Sequence, residues 1–267
     1  MDRVEAYEPI ILVGAGNLAT RLGLRLAEKN IQVLQVYNRT PERASALASR
    51  IGAQPVAHIR GIDPAGRLFI LAVADQAVPE LAAALTPLNA PERLFVHTSG
   101  SLPSTILAPA FSRYGVFYPL QTFTKNRTPD FNEIPVCVHA AAEADLRVLE
   151  ALGQRVSRKI YRINDEERAA AHIAAVFANN FTNHLYGIAE RLLAENGLPF
   201  DLIRPLILET ALKVQSESPA PMQTGPARRN DRETIRRHLE ALGRHPEWAS
   251  LYRLITESIQ HEDNRLH

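Results

Sequence analysis

The stretch Ile11-Leu12-Val13-Gly14-Ala15-Gly16-Asn17-Leu18-Ala19 decides the fold. A short apolar run ends at a glycine, and a helical pattern with Leu18, Leu22 and Leu26 on one face begins at Asn17. Gly14-Ala15-Gly16-Asn17-Leu18-Ala19 fits the pattern G-x-G-x-x-G/A. Its first glycine permits a tight turn, its second lets backbone N–H groups approach a pyrophosphate, and its small last residue lets the helix pack close to the strand. The helix N-terminus adds unpaired donors and partial positive charge. The bland alternative is a small-residue turn that binds nothing. The position directly between a buried strand and an amphipathic helix favours a dinucleotide cradle.

The end of the next apolar run reads Tyr37-Asn38-Arg39-Thr40. Sites for the non-phosphorylated coenzyme usually carry Asp or Glu here, bonded to the ribose 2′-hydroxyl. This stretch has none. Arg39 can pair with a 2′-phosphate and stack on the adenine, with Asn38 and Thr40 as neutral partners, so the sequence predicts NADP(H). The competing reading makes Arg39 a solvated arginine beside a helix start.

From this unit the pattern extends outward. Ile10–Val13, Gln32–Tyr37, Pro55–Ile59, Leu68–Val73, Leu94–Thr98, Val116–Leu120, Pro135–His139 and Lys159–Ile163 read as short buried strands. Helices are expected over Asn17–Lys29, from Pro41 (capped by Thr40) to Gly52, from Asp75 to Leu85, and over Ala144–Val156. Asp75 is expected to cap its helix. Alternating strands and helices predict an α/β, Rossmann-type, doubly wound parallel sheet. Past Asn164 only helical patterns occur: Glu166–Asn196, Pro199–Ser216, Asp231–Leu242 and Pro246–His261. The expected division is therefore a nucleotide-binding domain over 1–163 and a smaller all-α domain for substrate and dimerisation over 164–267.

Ligands in such sheets sit at the carboxyl ends of the strands. Ala72, Val73 and Ala74 end the fourth run with small side chains that let backbone lie against a ribose and nicotinamide. Thr98-Ser99-Gly100-Ser101 ends the fifth in hydroxyls and a glycine, as the nicotinamide end of a site or as a polar turn with Ser101 as a cap.

Composition narrows the classes. The 267 residues are 46% hydrophobic and 22% charged with a formal net charge of +1, which gives no general pull toward nucleic acid or an anionic membrane. One cysteine, Cys137, excludes an internal disulfide and a cysteine-rich metal site. The start, Met1–Pro9, carries three acids and no apolar export segment, and no apolar run approaches a membrane span. The expectation is a cytoplasmic, metal-free protein with a small-molecule substrate and no nucleic-acid or membrane partner.

In the helical half, His172, Val176, Asn179 and Asn183 recur at i, i+4, i+7 and i+11, hence on one face of a regular helix. Asparagine is a poor helix former. The stripe is read either as a polar wall facing the cofactor or as a hydrogen-bonded interface, with His172 either functional or structural. The loop Gln223–Asp231 either holds Thr224, Arg228 or Arg229 over an anionic substrate group or is a turn capped by Asn230 or Asp231.

Taken together, VGAGNLA, NRT, HTSGS, YPLQTF (Tyr118–Phe123), FANNFTNHL (Phe177–Leu185) and TGPARRND (Thr224–Asp231), in this order, resemble a bacterial Rossmann-like family provisionally classed as NADP-dependent oxidoreductases. Its C-terminal half is a domain of unknown function. The family is related in layout to pyrroline-5-carboxylate reductase and the β-hydroxyacid dehydrogenases. The resemblance implies cofactor contacts from Gly14, Ala15, Gly16, Asn17, Leu18, Asn38, Arg39 and Thr40. It also implies a Ser99–Gly100 turn near the nicotinamide and a homodimer through the helical domain, with the active site between the two domains. One departure stands out. The dehydrogenases carry a catalytic lysine four residues before an asparagine on the first long helix. Here Ala175 and Val176 hold those places. His172 is the substitute proton donor, with Ser99, Gln121, Asn179 and Asn183 orienting substrate. The expected activity is hydride transfer between the nicotinamide and a small polar C=O or C=N substrate. The rival is an NADP(H)-binding sensor or scaffold without turnover.

Overall fold

The computed structural model describes residues 8–124 and 127–263. The N-terminal segment Met1–Tyr7, read above as lacking an export signal, lies outside them. Eight strands form one sheet: β1 (Ile10–Val13), β2 (Val33–Tyr37), β3 (Gln54–Val56), β4 (Leu68–Leu71), β5 (Leu94–His97), β6 (Tyr114–Pro119), β7 (Pro135–Ala140) and β8 (Lys159–Arg162). Their order is β3-β2-β1-β4-β5-β6-β7-β8. The chain reverses its direction of winding between β1 and β4, and a crevice opens there at the carboxyl ends.

One pair corrects the expected all-parallel sheet: β6 and β7 are antiparallel, and the others are parallel. Parallel neighbours need a crossover, usually a helix. Among the described residues between β6 and β7 there is only a single 3-10 turn, Phe131–Glu133. The chain therefore returns beside β6 in the opposite sense. The return lays Phe123 and Thr124 against the start of α1 (Asn17–Glu28). Asn17 Nδ2 donates to the Phe123 carbonyl at 3.0 Å, and Arg21 donates to Thr128 Oγ1 at 2.7 Å.

Both sheet faces are covered. Leu22 and Leu26 of α1, Leu47 of α2 (Pro41–Ile51) and Leu149 and Leu152 of α4 (Glu143–Val156) pack on one side. The other side holds α3 (Val78–Leu85) and a run of stacked rings, Phe69, Phe95 and Phe111, with centroids 4.4 and 3.7 Å apart. Each of these fully buried side chains contributes about 1.5–3 kcal/mol. Pro41 opens α2 and Gly52, at φ 68°, closes it in the left-handed region.

Beyond β8 come α5 (Asp165–Ala175), a π-helical segment (Val176–Phe181), α6 (Thr182–Glu195), α7 (Arg204–Ser216), α8 (Arg232–Ala241) and α9 (Pro246–Asp263). The chain divides into two compact units, one ending at Asn179 and one beginning at Asn180. That division falls later than residue 163 because α5 is anchored on the first unit. Its start is fixed by a capping box, Asn164 with Glu167. Asp165 Oδ2 accepts bonds from the backbone and hydroxyl of Ser104, at 2.8 and 2.9 Å. Arg168, 1% exposed, pairs with Asp165 at 2.7 Å and donates to the Leu102 carbonyl.

In the second unit, Asp231 caps α8 by accepting from the Thr234 N–H at 3.0 Å. Arg228 donates to the carbonyls of Ala220, Pro221 and Gln223, so it clamps its own loop. Thr224 lines an apolar recess with Trp248 and Tyr252. Among the described residues, no helix is long and apolar enough to cross a membrane, and no group of three or more His, Cys, Asp or Glu could hold a metal ion.

Candidate active-site cleft

The first unit carries a cleft of about 850 Å³, within the range of small-molecule sites. Its floor is the turn after β1. Gly14 has φ 122°, a conformation that side chains strain, and a Cβ there would overlap the Ala72 carbonyl. Its N–H donates to the Tyr37 carbonyl at 2.7 Å. Gly16 is the N-cap of α1. No side chain caps that helix, no acid stands in its first turn, and a Cβ on Gly16 would meet nothing within 4 Å. The opening of α1, with Ala15, Asn17 and Leu18 beside it, thus presents uncompensated N–H dipoles to open space. Those are the requirements of a bound phosphate. Asn38 ties β2 to this turn: its Oδ1 accepts from the Ala15 N–H at 3.2 Å, and its Nδ2 donates to the Thr40 carbonyl at 3.0 Å.

Arg39 lines the same cleft and is exposed. Arg43 joins it, a residue the sequence reading passed over. The signal was available, because Arg43 lies in the first turn of α2, four residues past Arg39. Thr40 is not among the lining side chains and only precedes Pro41 as the N-cap, without a side-chain bond.

At the other end lie Ala72, Val73, Ala74, Thr98, Ser99 and Gly100. Asp75 lines the cleft as well and does not cap a helix. Its carboxylate accepts from the Ser101 hydroxyl at 2.6 Å, which also removes Ser101 as a helix cap. The turn is organised from within. Ser99 Oγ accepts from the N–H groups of Ser101 and Leu102, at 3.1 and 3.0 Å. His97, fully buried, accepts from the Ser99 N–H at Nδ1 (3.1 Å) and places Nε2 3.3 Å from the Pro103 carbonyl. Both bonds are satisfied by one neutral tautomer, with the proton on Nε2. Burial, helped by the Arg168 charge, holds this imidazole down at a pKa of about 4. Nothing in the spacing of the sequence announced this role for His97.

Gln121 lines the cleft, exposed, with its Oε1 taken by the Thr122 N–H at 2.8 Å. His172, from α5, lines it too and meets Tyr118 of β6, whose hydroxyl lies 3.2 Å from its Nδ1. Asn179 is exposed in the π-helical segment and is not among the lining side chains. Asn183 lines a recess of the second unit with Tyr186 and Arg204. The expected common face assumed a uniform α-helix. Val176–Phe181 is π-helical, so the residue spacing of a uniform α-helix does not carry through it.

Residues 134–259 match the family described as Domain of unknown function (DUF2520), and residues 4–64 match Shikimate / quinate 5-dehydrogenase. A curated glutamyl-tRNA reductase of Methanococcus aeolicus is 47% identical over 47 residues, which is 18% of this chain and 12% of that protein. Among solved structures, protein TM1727 from Thermotoga maritima shares the fold at 23% identity and a TM-score of 0.79, covering 96% of this chain and 100% of that one. An imine reductase from Myxococcus stipitatus, solved in complex with NADP+, shares it at 15% identity and a TM-score of 0.63, covering 96% and 93%. A Bacteroides fragilis protein, provisionally designated an NADP oxidoreductase, is 41% identical with a TM-score of 0.90, over 96% of this chain and 99% of its own. This chain belongs to the family of that protein, a Rossmann unit of NADP-oxidoreductase type followed by the helical region of unknown function.

Proposed function

We propose that the protein is an NADPH-dependent reductase of a small polar substrate bearing a C=O or C=N bond. The observation that carries this is the pairing of the Gly14–Leu18 cradle with two arginines, Arg39 and Arg43, where a ribose-binding carboxylate would otherwise stand. The opening N–H groups of α1 would hold the pyrophosphate and the arginines the 2′-phosphate. Ala72 to Ala74 and Thr98 to Gly100 would flank the ribose and nicotinamide. The coenzyme, when bound, supplies hydride. The chain excludes water, orients the substrate with Ser99 and Gln121, and supplies a proton from the His172 side. This reading does not draw on Asn179 or Asn183.

Replacing Arg39 and Arg43 by alanine is expected to weaken NADPH binding about ten- to a hundred-fold per lost charge-assisted contact, with NADH affinity nearly unchanged. Fluorescence titration of the two coenzymes reads this directly. Equal losses for both would mean that the arginines do not meet a 2′-phosphate. The rival reading is a coenzyme sensor without turnover, supported by Ala175 and Val176 in place of a lysine. A panel of keto acids, aldehydes and cyclic imines with NADPH separates the two. Oxidation of NADPH by one class supports the reductase, and binding without oxidation supports the sensor.

We also propose a homodimer through the helical unit. Leu206, Leu208, Leu212 and Val214 of α7 are all exposed, and apolar side chains exposed together on one helix favour a partner surface. Sedimentation at micromolar concentration is expected to give twice the 29.6 kDa chain mass. A single species at the chain mass would remove the dimer.

A further inference from the structure

Tyr118 is 8% exposed and reaches the cleft from β6. Its hydroxyl faces His172 Nδ1 at 3.2 Å, with the two rings edge to face at 71°. The pair closes over Gly100. A Cβ there would come to 2.6 Å from His172 Nδ1 and 2.8 Å from Tyr118 Cζ, so any side chain at that position would push the couple apart. Gly100 belongs to the turn whose shape His97 and Ser99 fix. The two rings are thus built into the end of the cleft where the substrate would meet the nicotinamide.

The surroundings divide the labour. Burial, with Cys137 and Asp75 adding to it, pushes the Tyr118 phenol up to about 12, so it keeps its proton at neutral pH. Arg168, one turn before His172 on α5 and fully buried, opposes this and favours the phenolate once it forms. His172 is less deeply buried than Tyr118, and an imidazole has two ring nitrogens that can pass a proton from one side to the other.

We propose that Tyr118 hands the proton to the substrate and that His172 refills Tyr118. The proposal rests on the reductase reading above. As the C=X carbon of the substrate accepts hydride from the reduced coenzyme, the π pair moves onto X. The Tyr118 O–H bond breaks and X–H forms. The phenolate takes the Nδ1 proton of His172 as the ring's Nε2 takes one from water, so the imidazole stays neutral and the hydroxide goes to solvent. One proton from the chain and one hydride, which a bound reduced coenzyme would supply at the cost of its own oxidation, enter the substrate.

The test has two arms. Nitrogen-15 NMR of the histidine rings, without coenzyme or substrate, reads the couple itself. Tyr118→Phe removes the hydroxyl 3.2 Å from His172 Nδ1 and is expected to move that nitrogen's resonance while those of the other histidines stay put. An unmoved His172 overturns the couple. Kinetics with the substrate class found in the panel read the roles. Tyr118→Phe is expected to lower kcat about 10²-fold or more with NADPH affinity unchanged. His172→Ala is expected to lower it less and to be rescued in part by added imidazole. Wild-type kcat in Tyr118→Phe overturns the donor role while the reductase reading stands. Loss in Tyr118→Phe with no loss in His172→Ala overturns the refilling role. A wild-type protein that binds NADPH and reduces nothing overturns the reductase reading and this proton path with it.

Discussion

Gly14→Ala is expected to abolish NADP(H) binding and to lower the melting temperature by about 10 °C. The new Cβ would overlap the Ala72 carbonyl, which is backbone and cannot swing aside. The residue would also have to hold φ 122°, where L side chains are strained. Relieving the overlap means moving the β1 turn away from β4, at the place where the two strands part around the cleft. Steric and backbone effects of this kind cost of order 3–5 kcal/mol. In a chain of this size each kcal/mol moves the transition by roughly 2–4 °C. Gly16→Ala is the matched control. At Gly16 φ is −76° and a Cβ would meet nothing within 4 Å, so stability should hold. Binding should still weaken, because the methyl stands in front of the helix terminus that the phosphates need. Differential scanning calorimetry paired with coenzyme titration checks both variants. Normal coenzyme affinity in Gly14→Ala would sink the cradle.

Asp165→Ala is expected to destabilise the fold by about 3–5 kcal/mol, because it leaves the buried Arg168 guanidinium without its carboxylate. It also removes the two bonds from Ser104 that pin α5 to the turn carrying Gly100. The double variant Asp165→Ala/Arg168→Leu should recover much of the stability, since a buried ion pair contributes little net beyond an apolar replacement. It should not recover the placement of His172. Chemical denaturation of the two single variants and the double variant measures the coupling. Additive losses would show that the pair does not act as a unit.

Two groups, buried His97 and half-buried Asp165, shape the acid sensitivity in separate windows. His97 binds a proton only near pH 4 when folded, against an ordinary value of 6.5. Between those values the unfolded chain takes up a proton that the folded one refuses, so stability falls as pH drops from about 6.5 to about 4. Burial alone would raise the Asp165 carboxyl, but the bonds from Arg168 and Ser104 outweigh it and hold it below its ordinary value of 3.8. Its contribution is complete above that value and is lost only as pH falls beneath it. His97→Gln should therefore flatten the upper window and leave the lower one. Denaturation midpoints measured from pH 7 to pH 3 would show it, and an unchanged upper slope would contradict the buried neutral imidazole.

What the sequence revealed was local, and what it hid depended on distant partners. The interior strands were readable because a short apolar run between polar turns has few other uses, whereas the edge strands β3 and β8, expected to be buried, are mostly exposed. The Gly14–Ala19 turn was readable because its requirements lie within one loop. The direction of β7 was not, since Val136 and Val138 are buried whichever way the strand runs. The π turns at Val176–Phe181 were not legible, because the face was counted on a regular helix. Asp75 was read as a cap from its position alone, whereas its partner Ser101 comes from the end of a different strand. Tyr118 stood inside a quoted motif, but its meaning needs β6 and α5 side by side. Arg168 drew no attention in the sequence, and only its burial and its bonds to Asp165 and the Leu102 carbonyl show that it holds α5 in place.

The central claim is a phosphorylated dinucleotide seated on the α1 terminus with its adenosine end between Arg39 and Arg43. Isothermal titration of the full-length protein with NADPH and, separately, NADH tests it most directly. Micromolar or tighter binding of NADPH, at least ten times tighter than NADH, is the predicted result. No heat with either coenzyme, or tighter binding of NADH, would contradict it.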